Sequence, residues 1–494
     1  YRWSTATYNF FKDRGIEYDK PIPYVGSMRK LFFGQSSMMD LIIELYNKND
    51  SKVYGVFEQR TPMLMIKDPE LLKQITIKDF DHFLNHRDAF SVDEDDNVNN
   101  MFGSSLFSMR DARWRDMRST LSPAFTGSKM RQMFQLMDTV ANEAVQCLNR
   151  DGIPEDGLEL DVKDFCARFT NDVIESTVFA QQVNSFKDRE NTFYLNSKKM
   201  TDFTCLETMK FLLYTTSKRL FKLLKLPLFD VKSTDYLVSL VTGAMKYRQE
   251  HNFVRPDMIQ MLMEASGMVQ TAAHKPVRDW KQHELLGQCF VFFMAGFETT
   301  AVTICFTAHE IMENEDVQKK LYEEVCQVNS DLDGGQLTYE ALMGMKYLDQ
   351  VVTEVMRKWP AVAAIDRECS KDITYVVDGK NVEIKKGDTI WLPVAAVQRD
   401  PRYFENPEKF DPERFSDENK HKIQPYTYYP FGSGPRNCIG SRFALLESKA
   451  VIYYMLRDFR IAPSEKSCIP MVLVPYGYQL KPKNGFWLKL FPRN

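Results

Sequence analysis

Between Phe431 and Phe443 the chain reads FGSGPRNCIGSRF, a single cysteine set among glycines with an arginine two residues before it. A cysteine that only fills a core needs no such frame. Gly432 and Gly434 permit a tight turn that lays the backbone flat. The helix predicted to begin just after Cys438 can turn backbone N–H groups, and the positive end of its dipole, toward the sulfur. Gly440 lets those groups approach with no Cβ in the way. Arg436 carries a planar fork suited to a carboxylate, and Phe431 supplies an apolar cover. A thiolate, an apolar shell and a cation suited to carboxylates together describe a flat, acidic ligand held through sulfur. Alone, Cys438 would read as a core cysteine beside a Gly-rich turn; the ten-residue stretch as a whole points to the ligand.

The rest of the composition sets bounds. The chain has 494 residues, 44% hydrophobic and 27% charged, the proportions of an ordinary globular protein. A formal net charge of −3 argues against a nucleic-acid partner, which selects for a basic excess. The 35 Phe, 22 Tyr and 25 Met suit an adaptable apolar interior as well as an ordinary core. Nine cysteines, an odd number with no CxxC pair, fit neither a disulfide framework nor a zinc finger and favour a reducing, cytosol-facing location. No secretory h-region opens the chain. The mostly apolar run Leu285 to Phe297 falls short of the roughly 18 residues a bilayer requires and predicts a buried helix.

No linker or internal repeat divides the sequence. Short strand patterns occur at Val53 to Phe57 and Met63 to Ile66, and helical periodicity runs from about Ala112 to Met356. Turn-rich interruptions fall at Ser91 to Asn100 and Asn329 to Gln336. Asp378-Gly379 sits between two strand patterns as a hairpin turn. A long irregular segment, Asp400 to Pro430, precedes the cysteine loop. The expected architecture is mainly α with small β-sheets, folded as one unit. Lys210 to Asp230 combines Leu and Phe with five basic residues; it fits a segment lying in a membrane interface and, equally, a core helix with a solvated basic face.

Haem held by cysteine meets the description of the loop's ligand. FGSGPRNCIG also resembles the F-x-x-G-x-R-x-C-x-G loop of the cytochrome P450 family, the haem-thiolate monooxygenases, at every fixed position. Further motifs follow in the family's order. In AGFETT, Ala295 to Thr300, Gly296 permits a helix to pass close over a flat ligand. The Thr299 hydroxyl can bond back to a helical carbonyl and open a bulge. Core packing would explain this string equally well in isolation. The resemblance implies that Thr299 hydrogen-bonds the bound oxygen species and that Glu298 relays protons.

Glu354 and Arg357 in EVMR share a helix face and can pair. The family adds a second arginine, matched by Arg414, in a structural rather than catalytic role. Trp114 and Arg118 in WRDMR, together with Arg367, stand where the family holds the haem propionates; an amphipathic surface helix would explain the first two equally well. At Gln398 many relatives carry histidine.

The resemblance covers Trp114 to Gly440 and softens toward the ends, where KPIPYVG resembles microsomal animal members just after a membrane anchor, most like insect enzymes of the detoxification clan. It implies the P450 fold over residues 1–494 as a single catalytic domain, an anchor missing ahead of Tyr1, and a place on the cytosolic face of the endoplasmic reticulum membrane. It implies haem b with Cys438 as the iron ligand and Arg436, Phe431, Gly440, Trp114, Arg118, Arg367 and Ala295 around it. The reaction implied is insertion of one atom of O2 into small lipophilic compounds, foreign ones such as insecticides or plant toxins foremost. No dinucleotide-binding GxGxxG unit is present, so NADPH-derived electrons must come from NADPH–cytochrome P450 reductase, with cytochrome b5 as an optional second donor. Phe102, Leu106, Phe107, Phe293, Ala361, Ile365 and Tyr476, the last in a turn reaching Tyr478, are the substrate contacts implied. Oxidation of an endogenous lipid or hormone, or a non-oxygenase haem-thiolate reaction, is the alternative.

Overall fold

The computed structural model describes residues 1–87, 101–149, 152–179, 183–201, 205–224, 226–255, 257–269, 278–476 and 479–493. The acidic stretch at 91–100 and positions 477 and 478 of the late turn lie outside them, as does position 225 of the basic segment. About 52% of the structure is helical, and the strands are short: β1 (Val53–Glu58), β2 (Thr61–Ile66), β3 (Leu158–Asp161), β4 (Ile365–Glu368), β5 (Ile373–Val377), β6 (Lys380–Ile384), β7 (Thr389–Leu392), β8 (Phe459–Ala462) and β9 (Trp487–Pro492). The helices that bear on function are labelled α1 (Asp111–Leu121), α2 (Gly127–Leu148), α3 (Val162–Thr177), α4 (Gln282–Glu313), α5 (Lys346–Lys358) and α6 (Ser441–Asp458). The chain belongs to the mainly helical class that its periodicity predicts.

Contacts group the chain into two compact units interleaved in sequence. The first takes Tyr1–Ala89, Thr353–Cys438 and Cys468–Gly485; the second takes Phe90–Val352, Ile439–Ser467 and Phe486–Asn494.

The first unit is built on a four-stranded sheet in the order β1-β2-β7-β4. β1 and β2 form an antiparallel hairpin, β2 runs parallel to β7, and β4 closes the far edge antiparallel to β7. The first five residues of β1 are buried, because the N-terminal segment covers the strand: a Cβ on Gly55 would come 2.6 Å from the Phe11 ring. β5 and β6 form the hairpin predicted at Asp378-Gly379, where φ angles of 51° and 76° match the primed turn that such a dipeptide favours.

The second unit surrounds α4, buried almost continuously from Glu284 to Phe290 and from Thr300 to Met312. Its start is fastened by Glu284, whose carboxylate accepts the Lys281 N–H at 2.9 Å. α3 packs along it, capped by Asp161, which accepts the N–H groups of Lys163 and Asp164. α6 joins α2 through the Tyr454 hydroxyl, which donates to Asp138 at 2.6 Å. A three-stranded sheet, β3-β9-β8, closes the unit; four-residue β3 is too short to interrupt the helical periodicity read from sequence. The helix Glu315–Asp331 also runs into the turn-rich stretch expected from Asn329, with the turn itself beginning at Leu332.

Two carboxyls on α3 are buried one turn apart. Burial raises Asp172 to about 6, against hydrogen bonds from Ser185 and Asn171. Burial, and then the Asp172 charge, raise Glu175 to about 8. Both folded values stand above the unfolded ones, so the folded state binds extra protons. The associated stability is fully present below the ordinary carboxyl values near pH 4 and is lost progressively as pH rises to about 6 for Asp172 and about 8 for Glu175. Thermal unfolding of Glu175→Gln should match the parent near pH 4 and exceed it near pH 8.5. Equal transition temperatures at both pH values would show that Glu175 does not titrate as its burial implies.

Candidate active site

The cysteine loop belongs to the first unit and closes on itself: the Cys438 N–H donates to the Phe431 carbonyl at 2.8 Å. Gly432 and Gly434 hold φ of 78° and 75°. At Gly434 a Cβ would fall 1.9 Å from the Thr76 carbonyl, so no larger residue fits. Gly440 has a φ of −90°, and a Cβ there would stand 3.9 Å from Phe125. α6 begins at Ser441, three residues after the cysteine. Cys438 is exposed, whereas most of the described cysteines are buried. Phe431 is half-buried.

Arg367 and Arg436, both buried, belong to the same unit. Arg367 donates through Nη1 to the Asp366 carbonyl at 2.7 Å and lies 3.3 Å from His86 Nδ1, while its Nε is buried with no hydrogen-bond partner. Burial pulls its guanidinium down to about 10, still charged at neutral pH. Burial, and next the Arg367 charge, push His86 down to about 4, with Arg436 adding to the shift, so the imidazole is neutral and binds Asp366 at 2.7 Å. The Asp366 carboxylate is also taken by Arg87, 3.0 Å away. Buried Arg367 thus keeps an unpartnered Nε beside a neutral histidine, and its nearest carboxylate is already engaged. That arrangement, with the exposed cysteine, fits a ligand bearing carboxylates, as haem does. Sequence reading missed His86 and Asp366; no short motif marks them.

The segment leading to the loop is held by groups wholly removed from water. Glu354 and Arg357, on α5, are each 0% exposed and joined by two bonds of 2.7 and 2.8 Å. Arg414 reaches Glu354 at 3.3 Å, and the Asp411 N–H donates to it at 3.0 Å. Arg357 further donates to the carbonyls of Gln398 and Pro407. Gln398 donates to the carbonyls of Met356 and Arg357 and accepts the Tyr429 N–H at 2.9 Å. It therefore acts as a structural tie just ahead of the loop.

In the second unit α4 has one uncovered stretch. Ala295 is exposed and Phe292 and Thr299 are half-buried, and these positions share one helical stripe. The Thr299 hydroxyl donates to the Ala295 carbonyl at 2.5 Å, as its position suggests, but the expected bulge is absent. α4 stays α-helical through the site, since the hydroxyl shares the carbonyl without displacing the backbone ladder. Gly296 also differs: a Cβ there would meet Ile174 of α3 at 3.0 Å, so its glycine serves helix approach. Glu298 binds Lys163 of α3 at 2.8 Å. Burial lowers the Lys163 pKa, but the Glu298 and Cys305 charges and the Glu298 bond outweigh it, and the net shift is upward. Lys163 carries no sequence motif and was not anticipated.

Trp114 is buried and Arg118 half-buried, one turn apart on α1. Phe293 is 1% exposed, stacked on Phe297 and edge-on to Phe193. It is a core residue of its unit, and the uncovered stripe carries its neighbour Phe292 instead. Phe102 is half-buried, Leu106 buried and Phe107 exposed. In the first unit Ala361 and Ile365 are half-buried and Tyr476 is exposed. Glu447 on α6 is fully buried with neither oxygen bonded; nothing in the structure explains a carboxyl there.

Comparison with known proteins converges on one family. The model described as "Cytochrome P450" matches residues 17–488. "Probable cytochrome P450 9f2" of Drosophila melanogaster is 65% identical across the whole chain and 97% of its own length. "Cytochrome P450 9b2" of the same species is 42% identical, covering all of this chain and 96% of its own. "Cytochrome P450 3A11" of Mus musculus is 32% identical, with 100% and 94% covered.

The Lys163–Glu298 pair makes a direct prediction. Both partners are partly screened, so their coupling should be about 1 kcal/mol. A double-mutant cycle with Lys163→Met and Glu298→Gln, read by urea denaturation, should recover that value. A coupling indistinguishable from zero would show that the contact does not hold Glu298.

Proposed function

The chain is a member of the cytochrome P450 family, an oxidoreductase of the monooxygenase type, and on that premise we propose that it inserts one atom of O2 into small lipophilic substrates, foreign compounds foremost. Electrons would come from NADPH through NADPH–cytochrome P450 reductase, with cytochrome b5 as a second donor, at the cytosolic face of the endoplasmic reticulum. The chain would act as a single catalytic domain. The observation that carries the reading is the exposed Cys438 in its closed loop, in the same unit as buried Arg367, whose Nε has no partner and whose carboxylate neighbour is already engaged. When bound, haem b supplies the redox chemistry and oxygen activation.

The protein's own residues have separable tasks. Cys438 binds iron as a thiolate, with Phe431, Gly440 and Ala295 in the haem's surroundings. Arg367, Arg436, Trp114 and Arg118 hold the propionates. Thr299 holds a proton at Oγ1, and Glu298, positioned by Lys163, moves protons at its carboxylate. Phe102, Phe107, Ala361, Ile365 and Tyr476 are the proposed substrate contacts, and their apolar and aromatic character suits lipophilic compounds. Exposed Leu220, Leu223 and Leu224, set among the basic residues of 210–230, support contact with a membrane surface.

Turnover with reductase and NADPH under labelled O2 should place one labelled atom in the product. Thr299→Ala should lower product per NADPH several-fold while NADPH consumption continues. Rearrangement or dehydration of a lipid peroxide, with no labelled atom entering any product under labelled O2 with reductase and NADPH, would sink the monooxygenase reading.

A further inference from the structure

Two consecutive residues of α4 are shaped to seat one loop. Gln288 is wholly buried, and its amide is used at both ends. Oε1 accepts the Leu106 N–H at 2.7 Å. Nε2 donates to the Ser104 carbonyl at 3.0 Å and to its own helix at the Glu284 carbonyl, 2.8 Å away. The side chain thus reads the C=O of one loop residue and the N–H of the next but one, as a neighbouring strand would. Gly287 permits the approach: a Cβ would stand 2.8 Å from the Met101 carbonyl oxygen, inside any real contact, and 3.0 Å from Ser104 backbone atoms.

The seated loop carries aromatic rings. Phe102 and Phe107 lie 5.4 Å apart between centroids, Phe102 is 6.4 Å from Phe229, and Phe229 is 5.2 Å from Phe290. The ring chain therefore leaves the loop and returns to α4 two residues beyond Gln288. Gln288 also lies on the stripe that continues through Phe292, Ala295 and Thr299. At 1.5 Å per residue the clamp stands about 10 Å along the axis from Ala295 and about 16 Å from Thr299. That span suits a small organic molecule held between the rings and the reacting end of the stripe.

We infer that Gln288 is a specificity-determining positioning residue: by fixing the loop on α4 it sets where Phe102 and Phe107 stand above the uncovered face, and so which ligand sizes bind well. The inference rests on the haem-and-substrate assignment proposed above. Gln288 touches no substrate itself and acts through the loop.

The test uses the full haem-loaded chain and two nitrogenous probes that ligate haem iron, imidazole and the bulky triaryl azole clotrimazole, followed by their Soret shifts. Gln288→Leu removes the clamp at similar volume. The Kd of clotrimazole should rise about five- to tenfold, the worth of one net hydrogen bond lost from a pre-organised wall, while that of imidazole stays within twofold. Hydrogen exchange at the Leu106 amide should quicken at least tenfold. Gln288→Glu keeps the acceptor for Leu106 and should retain more of that protection than Gln288→Leu. A merely structural role would move both probes alike, and either that result or an unchanged clotrimazole Kd overturns the inference. So does a Leu106 amide that exchanges in the parent protein as fast as the neighbouring Phe107 amide, a result that needs no variant to fold. A parent protein whose Soret band neither probe moves overturns the haem assignment and the inference with it, whereas failure of the size dependence alone leaves the haem assignment standing.

Discussion

An ion pair with no access to water governs the segment that delivers the cysteine. Glu354 and Arg357 would each cost several kcal/mol to bury alone, and their mutual attraction does not by itself guarantee a net gain. Here every remaining donor and acceptor has a use. Arg414 and the Asp411 N–H complete the carboxylate, and the carbonyls of Gln398 and Pro407 complete the guanidinium. Stability is therefore a secondary result; the pair specifies a path. Residues 398 to 429 have little regular structure to fix their course, and backbone carbonyls must go to buried donors instead. With Gln398 bonded to Tyr429, the chain arrives at Phe431 in register for the turn that ends at Cys438.

α4 shows a comparable division of labour on a single helix. Its covered faces are occupied by packing: Gly296 admits Ile174, Thr170 donates to the Phe297 carbonyl at 3.1 Å, and Phe293 sits among rings. Its uncovered stripe carries the groups that can meet a ligand. Phe292 and Phe293, and likewise Ala295 and Gly296, thus serve opposite purposes at adjacent positions, and only the rotation of about 100° per residue separates them.

What sequence could and could not disclose follows from the range of the interactions involved. The hairpin at Asp378-Gly379, the burial of the run from Leu285, the start of the helix after Cys438 and the Glu354–Arg357 pair are set by neighbours within a few residues, and each was legible. Gln398 was visible only as a departure from relatives; its role depends on Tyr429 and Met356, far along the chain. Lys163, His86, Asp366 and Gln288 act across separations of 135, 280 and 182 residues, and no local pattern can signal them. The surroundings of Gly296 and Phe293 are set at long range too: Ile174 of α3 stands where a Cβ on Gly296 would point, and the Phe293 ring packs on Phe193 and Phe297.

The account stands on the sulfur of Cys438 being the ligand to haem iron, and the carbon monoxide difference spectrum of the dithionite-reduced, haem-loaded protein tests it most directly. Thiolate ligation predicts a Soret band displaced far to the red, absent from Cys438→Ser prepared in parallel. A folded, haem-loaded protein lacking that band, or a Cys438→Ser variant that keeps it, would contradict the account.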